Sequence, residues 1–144
     1  MNEIGVTHQQ YPKVERLAAA AGFLAITGGS AMVAYFDPTK DGFFPVCPLF
    51  ALTGLACPGC GLTRGFHALF HGDVLTALDF NALLPVWATI ILWVWLSCLV
   101  LAIRGKGLTM WPTNPNFVWV FGLILLVFGV LRNIPAYPFS ILFP

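Results

Sequence analysis

Residues 82–103 read ALLPVWATIILWVWLSCLVLAI, an uncharged run closed by Arg104. Crossing a hydrocarbon core about 30 Å thick takes roughly 20 apolar residues in a helix, so this stretch is predicted to span a membrane. Two further runs extend the reading outward. Leu17–Phe36, rich in Ala and Gly, precedes it. A shorter one from Phe117 to about Ile134 follows, with Arg132 near its end placed to snorkel to headgroups and Pro135 closing it. The prediction is an all-α integral membrane protein with three transmembrane helices, over 17–36, 82–103 and 117–134, in one membrane domain covering residues 1–144.

Composition points the same way. Hydrophobic residues make up 58% of the 144 and charged ones 9%, whereas soluble domains average roughly 45–50% and roughly 25%. A net charge of +1 with no run of like charges offers nothing to a polyanion, so nucleic acid is excluded as a partner and the lipid bilayer is expected. Glu3 and Glu15 precede the first run, which is long enough to span and so reads as a mature helix. With Lys13, Arg16, Arg104 and Lys106 on one side and Lys40, Arg64 and Arg132 on the other, the positive-inside rule places the N-terminus in the cytoplasm. Residues 37–81 then face outward.

Small residues recur at helical spacing. Ala21, Ala25 and Gly29 follow at i, i+4, i+8, and Gly122 and Gly129 are seven apart, so each set lines a stripe where another backbone can approach. These stripes serve helix packing, either within the chain or against other membrane subunits or a second copy. Of the five tryptophans, Trp111 is expected in an interfacial belt.

The connecting segment 37–81 is where chemistry is expected. Residues 43–56, FFPVCPLFALTGLA, carry no charge and are too few to span as a helix. They are predicted to be interfacial or re-entrant, with Pro45 and Pro48 opposing a continuous helix. Cys47, Cys57 and Cys60 fall in this segment, while Cys98 lies mid-span and reads as a small hydrophobe. Cys57 and Cys60 form Cys-Pro-Gly-Cys, a spacing that suits a disulfide across a tight turn or two thiolates on one metal.

After it comes GLTRGFHALFHGD, residues 61–73. On a helix, Cys60, Arg64, His67 and His71 share one stripe, and Leu62, Phe66, Leu69 and Phe70 take the opposite face, which predicts a short amphipathic helix over about 61–71. Gly72 suits a left-handed C-terminal position and Asp73 an N-cap for a following helix. Arg64 is a candidate to lower a thiol pKa or to hold loop carbonyls. His67 and His71 can reach one ion together, so Cys57, Cys60, His67 and His71 make a candidate zinc or iron set, although the linker between the pairs is half the usual finger length.

The stretch Cys47–Leu84, CPLFALTGLACPGCGLTRGFHALFHGDVLTALDFNALL, resembles the signature of an uncharacterised bacterial membrane-protein family, domain of unknown function 2752. The pattern falls on Cys47, Pro48, Thr53, Gly54, Cys57, Pro58, Cys60, Gly61, Thr63, Arg64, Gly72, Asp73 and Asn81, and departs at Ala82, where the family often has proline. The resemblance implies a small multi-pass protein of a bacterial inner membrane, with Thr63, Arg64, Asp73 and Asn81 as structural polar residues, and no transferable activity. An outward-facing segment meets an oxidising compartment, where a disulfide is favoured. A structural bridge from Cys47 to Cys57 or Cys60 is expected, closing a loop of about 10–14 residues.

Three functions fit these residues. The first is a non-enzymatic accessory or assembly subunit of a larger membrane complex, with the CPGC segment as a structural cap. A membrane thiol-disulfide oxidoreductase using Cys57 and Cys60 is the second, outside the thioredoxin fold because no βαβ pattern exists. The third is a zinc- or iron-binding membrane protein. Transport is disfavoured, since no acidic residue lies in the middle of a span.

Overall fold

The computed structural model describes residues 11–40, 44–106 and 115–142, which are helical or irregular throughout. In chain order the helices are α1 (Lys13–Tyr35), α2 (Pro48–Thr53), α3 (Leu62–Phe70), α4 (Val74–Phe80), α5 (Leu84–Arg104) and α6 (Pro115–Leu131), followed by a 3₁₀ turn at Phe139–Leu142. Trp111 lies outside the described residues. The chain forms two compact units, one from Met1–Ala31 and Val86–Thr113, the other from Met32–Pro85 and Asn114–Pro144.

In the first unit α1 and α5 run antiparallel. Arg16 near the start of α1 donates to the Ala102 carbonyl at 3.0 Å and the Ile103 carbonyl at 3.1 Å, two of the last-turn carbonyls that α5 cannot satisfy itself. Further along, the Phe23 and Trp95 rings lie 5.0 Å apart, and the Trp95 indole N–H donates to the Thr27 hydroxyl at 2.9 Å. Gly105, in the left-handed region with φ 63°, then ends the helix. Arg16, Arg104 and Lys106 therefore gather at one end of the pair.

α1 and α5 have 23 and 21 residues, about 35 and about 32 Å at 1.5 Å per residue, enough to cross a bilayer. Neither is the core helix of a soluble protein, because almost none of either is buried. Leu17, Leu24, Leu92 and Ile103 stand exposed to whatever surrounds them, an arrangement stable against lipid and costly against water. The expected third span is a different case. It forms a helix of 17 residues, about 26 Å long and short of the usual crossing length. At its C-terminal end the Asn133 and Ile134 N–H groups take tighter i→i−3 bonds to Val130 and Leu131, and Pro135, which cannot continue a helix, follows.

The second unit holds the connecting segment, where α2 is added to the amphipathic helix and the helix after Asp73 that the sequence predicts. Pro48 does not prevent α2, because it occupies the first helical position, where its missing N–H costs nothing. α3 falls where the stripe predicts it. Its Leu62, Phe66 and Leu69 pack against a small core of Ala68, Ala77 and Leu84, which joins α3 to α4 and the start of α5. Gly65 allows that approach: a Cβ there would meet Leu84 Cδ1 at 2.5 Å and the Ala77 carbonyl oxygen at 3.0 Å. Gly72 is left-handed with φ 81°, and the Asp73 carboxylate accepts the Thr76 N–H at 3.1 Å, so both act as the sequence suggests.

Candidate functional site

Cys47 precedes α2, and its carbonyl accepts the Ala51 N–H. Its thiol therefore sits against the first turn. The Phe50 N–H, aided by the Cys57 thiol, pulls the Cys47 thiol down to about 7. Cys57 and Cys60 are held across a tight turn in which the Cys60 N–H donates to the Cys57 carbonyl at 3.0 Å and the Cys57 N–H to Cys60 Sγ at 3.2 Å. Gly61 follows at φ 82°, a conformation that glycine adopts without strain, and starts α3. Burial pushes the Cys60 thiol up to about 12, with the neighbouring Cys57 and Cys47 sulfurs adding to the shift.

The three sulfurs converge. Cys57 Sγ lies 3.4 Å from Cys47 Sγ and 3.3 Å from Cys60 Sγ, and all three lie within 4.8 Å of one another. A disulfide bond is about 2.05 Å long, so the expected bridge from Cys47 to Cys57 or Cys60 is not formed and all are free thiols. Cys57 contacts both neighbours almost equally. The group is thus a triad rather than a pair with a spare.

What fixes this triad is a polar frame from two distant parts of the chain. Asn133 accepts the Ala56 N–H at 2.8 Å and returns a bond to the Ala56 carbonyl at 2.9 Å, with a third to the Gly129 carbonyl at 2.7 Å. Arg132 Nη1 donates to the carbonyls of Cys57 at 2.9 Å and Cys60 at 3.2 Å. Asn81 Nδ2 donates to the carbonyls of Pro58 at 2.9 Å and Cys60 at 3.0 Å. Leu62 N–H takes the Gly59 carbonyl. Every carbonyl from Ala56 to Cys60 accepts a hydrogen bond, which non-helical backbone requires wherever water is excluded.

Arg132 is the surprise of the site. Instead of snorkelling to headgroups it is fully buried, its guanidinium carbon 5.1 Å from the centre of the Phe128 ring. Its Nε and Nη2 have no hydrogen-bond partner among the described residues. Holding loop carbonyls, one of the two roles for which Arg64 is a candidate from sequence, is done by Arg132, and Arg64 is exposed. Asn133 had no sequence signal beyond its place beside Arg132 at the end of an apolar run. Asn81, marked by the family resemblance alone, is 1% exposed and central to the frame.

The histidines stand apart from the thiols. His67 Nδ1 lies 2.8 Å from the Val33 carbonyl in the last turn of α1, and His71 Nδ1 lies 2.8 Å from the His67 carbonyl. Among the described residues the group able to hold an ion is Cys47, Cys57 and Cys60, so the structure does not assemble Cys57 and Cys60 with His67 and His71. Thr63 is half-buried on α3. In the small-residue stripes Ala21, Ala25 and Gly29 are exposed, and a Cβ on Gly29 or Gly122 would meet nothing within 4 Å. Gly129 instead faces the loop, where a Cβ would lie 3.1 Å from Pro58 Cγ.

A family model described as a protein of unknown function (DUF2752) matches residues 47–95, the Cys-rich segment and the first half of α5. No curated protein and no solved structure matches the chain.

Proposed function

We propose that this chain, whose residues 47–95 match the unknown-function family, is a non-enzymatic accessory or assembly subunit of a bacterial membrane complex, with the CPGC loop as its rigid cap. The supporting observation is that every loop carbonyl from Ala56 to Cys60 accepts a hydrogen bond, from Asn81, Arg132, Asn133 or a neighbouring amide. A loop so tied down presents a fixed shape and can rest against the bilayer without exposing backbone to lipid. α6 completes the membrane body as a short third crossing, and the N-terminus lies in the cytoplasm. The open faces at Ala21, Ala25 and Gly29 and at Gly122 accept helices of a partner subunit or a second copy.

The test is native mass determination after extraction in mild detergent, with Gly29→Leu and Gly122→Leu beside the parent chain. The expected result is a larger assembly that either leucine releases while the variant stays membrane-inserted. A monomer unaffected by both changes overturns the subunit reading.

A further inference from the structure

We infer that Cys47, Cys57 and Cys60 form a three-thiolate site for a divalent d¹⁰ ion of the zinc class, with Arg132 as its buried counter-charge. Geometry supplies the first argument. Two sulfur–sulfur edges of 3.4 and 3.3 Å and a third no longer than 4.8 Å define a triangle whose equidistant point lies at most about 2.4 Å from each sulfur. Zinc–sulfur bonds are about 2.3 Å long. An ion at or just above the plane of the sulfurs therefore meets all three with small side-chain adjustments. No fourth His, Cys, Asp or Glu joins the group among the described residues, which leaves one coordination position open.

Charge supplies the second, independent argument. Arg132 is 0% exposed, and among the described residues two of its nitrogens have no hydrogen-bond partner and the ion pair, Lys40 with Asp37, does not involve it. A buried cation without a counter-ion is costly. Three neutral thiols leave the site at +1. Three thiolates around a divalent ion carry −1, which Arg132 brings to zero, whereas a monovalent ion such as Cu(I) leaves −1. Binding displaces the thiol protons into solvent, so affinity rises with pH. No electron is transferred.

This inference rests on the thiol geometry and not on the subunit role; a monomer that binds one ion supports the one and refutes the other. The experiment uses the full chain in detergent, reduced and stripped of metal under inert gas, then titrated with Zn²⁺ and, as a spectroscopic surrogate, Cd²⁺. Expected are one ion per chain and a thiolate-to-cadmium absorption band that loses about a third of its intensity in Cys47→Ser, together with a fall in affinity of about 100-fold or more. Cys98→Ser, His67→Ala and His71→Ala should bind as the parent does. Because substitution in the turn at Cys57 can disturb the loop itself, chelator competition on the parent chain provides the second measurement. Failure of the parent to take up a stoichiometric ion overturns the site, as does Cys47→Ser binding as tightly as the parent or His67→Ala losing the ion.

Discussion

Replacing Asn133 by Leu, nearly the same in shape, isolates what the polar frame does. Ala56 is 2% exposed, and its N–H and carbonyl are both bonded to the Asn133 amide, at 2.8 and 2.9 Å. The variant leaves two buried backbone groups unsatisfied, each costing about 1–3 kcal/mol, and the lost bond to the Gly129 carbonyl adds to this, because that carbonyl lies in the last turn of α6 and the Asn133 N–H goes to Val130 instead. Even the lower sum, about 2 kcal/mol, corresponds to a roughly 30-fold shift in the equilibrium between closed and open loop. Hydrogen exchange at the Ala56 amide and maleimide labelling of Cys57 in detergent both read that opening. Each should accelerate by roughly 30-fold or more in Asn133→Leu while α1 and α5 keep their protection. Acceleration of less than about threefold would refute the idea that Asn133 holds the loop.

Other perturbations test neighbouring parts of the argument. Gly65→Ala places a methyl 2.5 Å from Leu84 Cδ1 and 3.0 Å from the Ala77 carbonyl oxygen; a loss of about 1–3 kcal/mol is expected, measured as a lower melting temperature in detergent. Asp73→Ala removes the acceptor for the Thr76 N–H and should cost about 1 kcal/mol, with faster exchange at Thr76 as the local signature. For the reduced, metal-free chain, the reactive species is the thiolate, so alkylation of Cys47 should rise with pH and level off above about 7, while Cys60, pushed up to about 12, should still be accelerating well beyond pH 9. Peptide mapping by mass spectrometry separates the two. Equal pH profiles for both cysteines would contradict the assigned environments.

The order in which residues became legible follows from the range of the forces involved. Helices α1, α3 and α5 depend on local periodicity and apolar content, which sequence carries directly; the residues 62–70 that form α3 fall within the stripe read from Leu62, Phe66 and Leu69. Gly72 and Asp73 are readable for the same reason, since a left-handed cap and an N-cap act over three residues. The third apolar run reads as a span to about Ile134 with Arg132 as its polar end, whereas the helix covers Pro115–Leu131, and only the tertiary structure shows Arg132 and Asn133 turned toward the loop carbonyls.

By itself the sequence determined that most of this chain needs an apolar surround, that its cysteines crowd into one uncharged segment, and that a helix begins just after the CPGC turn. Tertiary structure alone decided which side chains meet. It brought Cys47 to Cys57 across ten positions and Asn133 to Ala56 across 77, and it exchanged the sequence's candidate Arg64 for Arg132. The physical reason is that satisfying a buried carbonyl or a buried charge has no sequence period: any donor that the fold delivers within hydrogen-bond distance will serve, and only the fold determines which donor arrives.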